Sequence, residues 1–234
     1  MKKFPFIPTS TIHQSQLEQP STAHELEIPR DTPEEERINT LTHGVAALLA
    51  VFGLWALLSR IDLHDPKMVI SVMLYGGSMI ILFTCSTLLH LHTDDAFTKT
   101  FVILDHSAIY WLIAGTYTPM ALIKIPHLGG HWLFIMVWII AFLGTVFKLI
   151  YADKFQWLSV TLYVCTGWIG IFLLPEMATE IGDGMKFVIM GGLFYTFGVP
   201  FYLWRKLRYN HAIWHLFVVA GAASIYYGFY HYIF

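Results

Sequence analysis

A chain of 234 residues that is 56% hydrophobic and 13% charged carries about half the charge of an ordinary soluble domain, in which roughly 25% of residues are charged. This composition excludes a soluble enzyme and indicates a protein built for lipid. The net charge of −2 gives no reason to expect nucleic acid as a partner, and the apolar composition makes membrane lipids the expected one.

Residues 1–35 are polar, contain Pro5, Pro8, Pro20, Pro29 and Pro33, and lack any apolar run. They read as a disordered cytoplasmic tail, and Met1-Lys2-Lys3 does not lead into a signal-peptide core. The first helix is expected to open at Asp31-Thr32-Pro33-Glu34-Glu35-Glu36. Asp31 or Thr32 serves as the cap, Pro33 sits in the first turn, and the acids lie at the positive end of the helix dipole.

A bilayer core requires about 20 apolar residues per spanning helix. Seven such segments follow, at 39–58, 67–91, 102–123, 132–151, 157–174, 186–204 and 210–233. Short connections join them. The expected fold is therefore all-α, a single seven-helix membrane bundle over residues 36–234, with no room for a soluble catalytic domain. In the third segment, Gly115-Thr116-Tyr117-Thr118-Pro119 predicts close packing at the glycine and a disturbed helix at the proline, which has no N–H to donate. The fifth segment is followed by an acidic loop, 175–185. Cys85 and Cys165 lie inside apolar segments without metal or disulfide spacing.

Basic residues set the orientation. With the N-terminus in the cytoplasm, Lys2, Lys3, Arg30, Arg37, Lys99, Lys148, Lys154, Arg205, Lys206 and Arg208 lie inside, against Arg60, Lys67, Lys124 and Lys186 outside. Seven spans then put Phe234 outside. The expected location is the cell (cytoplasmic) membrane.

This topology brings the ionisable residues of the spans to one depth. Ser86 and His90 end the second helix on one face, Asp105, His106 and Ser107 open the third, and His211 and His215 open the seventh. Glu36, Asn39, Thr42 and His43 open the first helix at the same level. Charged groups at membrane depth cost roughly 2.5–3.5 kcal/mol each on insertion scales, so they persist where they pair, coordinate an ion or line a cavity. Three imidazoles and a carboxylate make a ligand set for zinc with a position left for water. Taken singly, each has a plainer reading. The histidines can be interfacial residues near helix ends, and Asp105 can be a first-turn acid satisfied by the dipole. His106 points about 100° away from Asp105 and reads as a packing or hydrogen-bonding residue.

These residues also carry a resemblance. The segments Glu36-Arg37-Ile38-Asn39-Thr40-Leu41-Thr42-His43-Gly44, Ser86-Thr87-Leu88-Leu89-His90, Leu104-Asp105-His106-Ser107, Ala114-Gly115-Thr116-Tyr117-Thr118-Pro119 and His211-Ala212-Ile213-Trp214-His215 resemble, in order, the hemolysin III branch of the PAQR (progestin and adiponectin receptor) superfamily. The resemblance implies seven helices with the N-terminus inside. It implies zinc held by His90, His211 and His215, with Asp105 holding or contacting a water on the metal and Ser86 supporting it. PAQR proteins are similar in site design to alkaline ceramidases, which implies metal-dependent hydrolysis of a membrane-lipid amide or ester, with a role in membrane-lipid homeostasis. In that mechanism Asp105 and Ser86 are the catalytic residues. The rivals are a non-enzymatic sensor or regulator of the membrane with a structural zinc, and a pore-forming lysin.

Overall fold

The computed structural model describes residues 31–92, 95–152 and 154–234, which form one compact unit from Asp31 onward. The tail expected over residues 1–35 therefore lies outside the described residues up to residue 30. The helices are α1 (Pro33–Leu58), α2 (Pro66–Leu91), α3 (Asp95–Pro119), α4 (Gly130–Tyr151), α5 (Gln156–Gly167), α6 (Leu174–Ile181), α7 (Gly184–Leu203) and α8 (Asn210–Tyr232).

Local chemistry explains the starts. Thr32 caps α1 through a reciprocal box with Glu35, and Pro33 occupies the first turn, where its missing N–H costs nothing. Asp65 caps α2, its carboxylate accepting the Lys67 N–H at 2.8 Å. Tyr209 opens α8 in the left-handed region, at φ 58°, without a side-chain cap. Its N–H donates instead to Glu35 on α1 at 2.9 Å.

Among the described residues, α1, α2, α4, α7, α8 and the continuous stretch Gln156–Ile181 are long and apolar enough to cross a membrane. The 25-residue α3 is equally long but less apolar, because it carries the polar residues Asp105, His106, Ser107, Thr116 and Thr118. Leu48, Phe52 and Trp55 on α1, Phe142 on α4 and Phe172 after α5 are exposed, as expected of side chains facing lipid rather than water. Trp111, Trp138 and Trp168 have a different role. Their indole N–H groups donate to Thr145, Thr118 and Thr196 respectively, at 2.9–3.0 Å, and so tie segments of the bundle together.

Neighbouring helices run in the order α4, α3, α2, α1, α8, α7, and α5 contacts both α3 and α7. The first and last helices are therefore neighbours, and a cavity runs between α3, α5, α7 and α8. At Gly115 a Cβ would lie 2.2 Å from Ser78 Oγ and 2.8 Å from the Leu74 carbonyl, so the glycine permits the close approach of α3 to α2. Pro119 ends α3, and a π-helical turn follows at Met120–Lys124.

The fifth passage departs from expectation. The helix breaks after Gly167 into a 3₁₀ turn at Ile169–Leu173, and residues expected as an acidic loop form α6 through Ile181. Pro175 is tolerated there because it falls in the first turn of α6. The break is held from another helix. The Tyr117 hydroxyl donates to the Gly167 carbonyl at 2.6 Å and accepts the Gly170 N–H at 3.0 Å, satisfying groups that a membrane interior cannot hydrate.

Candidate metal centre

α2 delivers His90 from its last turn, and α8 delivers His211 and His215 from successive turns of one face. Their donor atoms all lie within 4.8 Å of one another. The ring centroids are 4.8 Å apart for His90–His211, 5.1 Å for His90–His215 and 4.6 Å for His211–His215. Among the described residues, Asp105 is not one of the groups that close on this cluster. It stands beside it, on the wall of a cavity that His211 and His215 also line.

The orientation of two rings follows from helix α1. His90 Nδ1 lies 2.6 Å from a Glu36 carboxylate oxygen, which accepts the ring N–H, and His90 Nε2 is buried without a protein partner. His215 Nδ1 lies 3.0 Å from Thr42 Oγ1. The Thr42 hydroxyl donates to the Asn39 carbonyl at 2.8 Å, so its oxygen accepts and the His215 proton sits on Nδ1. Both rings thus keep Nε2 free as a donor to a metal. Three converging imidazole nitrogens, one of them orphaned in a buried position, suit zinc or another imidazole-binding metal.

A further hydrogen bond between α1 and α2 lies beside the cluster. His43 stacks on His215 with centroids 3.5 Å apart, and its Nδ1 lies 2.8 Å from Ser86 Oγ. Ser86 and Asp105 both line the cavity wall. His43 Nε2 is buried and without a protein partner. His106 lines the same cavity, and its carbonyl accepts the Tyr163 hydroxyl at 2.9 Å. At the start of α1, Asn39 Nδ2 donates to Asp31 at 3.0 Å. Burial holds the Asp31 carboxyl above the usual carboxylate range, an effect that this hydrogen bond partly offsets. His64, His127, His131 and His231 are exposed; His13 and His24 lie outside the described residues.

Sequence reasoning placed Glu36, Thr42 and His43 at the right depth and gave them no task. The clue was available: positions 36, 39 and 43 share one face of a helix that is otherwise apolar.

The cavity has a volume of about 170 Å³ and a predominantly apolar lining beyond the polar end formed by the histidines, Ser86 and Asp105. It is bordered along α8 from His211 to Ile225, about 20 Å of helix, and ends among Met120, Met177 and Met185.

Fold and site together define a multi-pass helical membrane protein with a buried three-histidine centre opening into an apolar cavity. A family model described as "Haemolysin-III related" matches residues 32–226, and the chain belongs to this haemolysin III family of the PAQR superfamily. It is 40% identical over 195 residues to "Hemolysin-3" of Bacillus cereus, covering 82% of this chain and 89% of the relative. It is 37% identical over 198 residues to the "Hemolysin-3 homolog" of Bacillus subtilis (strain 168), covering 84% and 93%. A human relative, "Monocyte to macrophage differentiation factor", is 30% identical over 207 residues, covering 86% and 85%. The bacterial relatives point to the cell membrane.

Proposed function

We propose that this protein is a zinc-dependent hydrolase that cleaves an amide or ester bond in a membrane lipid at the level of the inner leaflet, and serves membrane-lipid homeostasis. The observation that carries this reading is the union of a polar three-histidine centre with a long apolar cavity. An acyl chain lying beside Ile189, Val218 and Ile225 would bring its carbonyl to the histidines. His90, His211 and His215 would hold a zinc ion, which would supply Lewis acidity there and lower the pKa of a water toward neutrality. Asp105 takes a proton from the attacking water as the C–O bond forms. It returns that proton to the leaving nitrogen or oxygen as the acyl bond breaks. Ser86, held by His43, lines the same wall as Asp105 and offers a hydroxyl to the reacting end. The apolar walls exclude bulk water from all but the reacting end.

The position of Asp105 outside the nitrogen cluster supports this reading, because a hydrolytic centre keeps a ligand position open while a structural one closes it with a fourth protein ligand. A non-enzymatic staple has one observation in its favour: the three histidines join α2 to α8. Membranes incubated with purified protein, with and without a chelator, separate the two. Hydrolysis predicts chelator-sensitive release of free fatty acid. A metal-loaded protein that yields no product from any membrane lipid supports the staple.

We also place the start of α1 in the cytoplasm and Phe234 outside, on the ten-to-four division of basic residues and seven passages with α3 counted. Reporters fused at the two ends are expected to give opposite signals. Equal signals would require an even number of passages.

A further inference from the structure

We infer that helix α1 is the positioning element of the metal centre: Glu36 and Thr42 each hold the outer nitrogen of a ligand histidine, so that the inner nitrogen faces the ion. The inference rests on the metal reading above, and not on hydrolysis.

Three acids open α1, and a helix dipole would account for any of them. The contacts distinguish them. Glu34 accepts from Arg208 at 3.0 Å and from the Tyr209 hydroxyl at 2.9 Å, and Glu35 accepts the Tyr209 N–H at 2.9 Å. Both acids grip the chain just before α8, outside the centre. Glu36 alone turns inward, and its partner His90 is buried. One face of the same helix then carries Thr42 to His215. Neither contact stabilises the helix that supplies it. Each instead fixes a ring on another helix, which is how carboxylates and hydroxyls behind ligand histidines set tautomer and raise basicity. Losing such a partner typically weakens metal binding about 10–100-fold.

The test is zinc affinity of the full-length protein in detergent, by competition with a chromophoric chelator, and the visible spectrum of the cobalt-substituted protein. Glu36→Leu is expected to bind zinc about 10–100-fold more weakly and to shift the cobalt bands. Glu36→Gln, whose amide oxygen can still accept the His90 N–H, is expected to fall between Glu36→Leu and the parent. A dipole role predicts the reverse pattern, with both variants equally and weakly affected. Thr42→Val should lose affinity and Thr42→Ser should restore it, a pair that decides the question even if Glu36→Leu does not fold. Affinities of Glu36→Leu and Thr42→Val within about threefold of the parent, where the loss expected is 10-fold or more, overturn the inference. A parent protein that binds no zinc overturns the metal reading itself.

Discussion

Replacing His211 and His215 together by alanine is expected to strip the protein of its metal. Elemental analysis of the purified parent should find about one zinc ion per chain, and the double variant below about a tenth of that, because a single remaining imidazole makes a weak site for zinc. The argument rests on geometry. The two side chains sit one turn apart on α8 with ring centroids 4.6 Å from each other, and both face His90 on α2. Full occupancy in the double variant would exclude these residues as the ligands. The variant should also melt at a lower temperature than the loaded parent, since binding free energy that selects the folded state adds to stability.

The second large effect concerns Asp105. Asp105→Asn preserves the shape of the side chain, but asparagine cannot act as a general base. Hydrolysis is expected to fall by about 10²- to 10⁴-fold, with zinc content and melting temperature close to those of the parent. If Asp105 were instead a direct ligand of a closed structural site, the same change would lower zinc content and melting temperature together. Measuring all three quantities on one preparation separates the roles.

The passages through the membrane were legible in the sequence because an apolar run is a local property. The seventh segment, read as 210–233, is α8 at Asn210–Tyr232, and the second, read as 67–91, is α2 at Pro66–Leu91. The gathering of His90, His211 and His215 could also be anticipated, since a topology deduced from lysines and arginines put them at one depth. What helix α1 contributes could not be read the same way. Acids in a first turn already have a sufficient explanation in the dipole, and nothing local distinguishes Glu36, which reaches His90, from Glu34, which reaches Arg208. The broken fifth passage was hidden for a related reason. Gly167 and Gly170 bracket a break whose unpaired groups are satisfied by Tyr117, fifty residues earlier in the chain, and no window of sequence contains both partners.

The distribution of the three histidines along the chain bears on biogenesis. His90 leaves the ribosome early, and all of α3 to α7 must follow before His211 and His215 are made. A nascent chain halted at any intermediate helix therefore has one of the three clustered imidazoles and lacks the cluster. On the metal reading proposed above, capture would be the closing event of assembly, available only when the last helix has moved into place beside the first. Loading would thereby mark the protein as finished, and a cell starved of the metal would be expected to accumulate inserted chains whose last helix is less firmly locked and more open to membrane proteases.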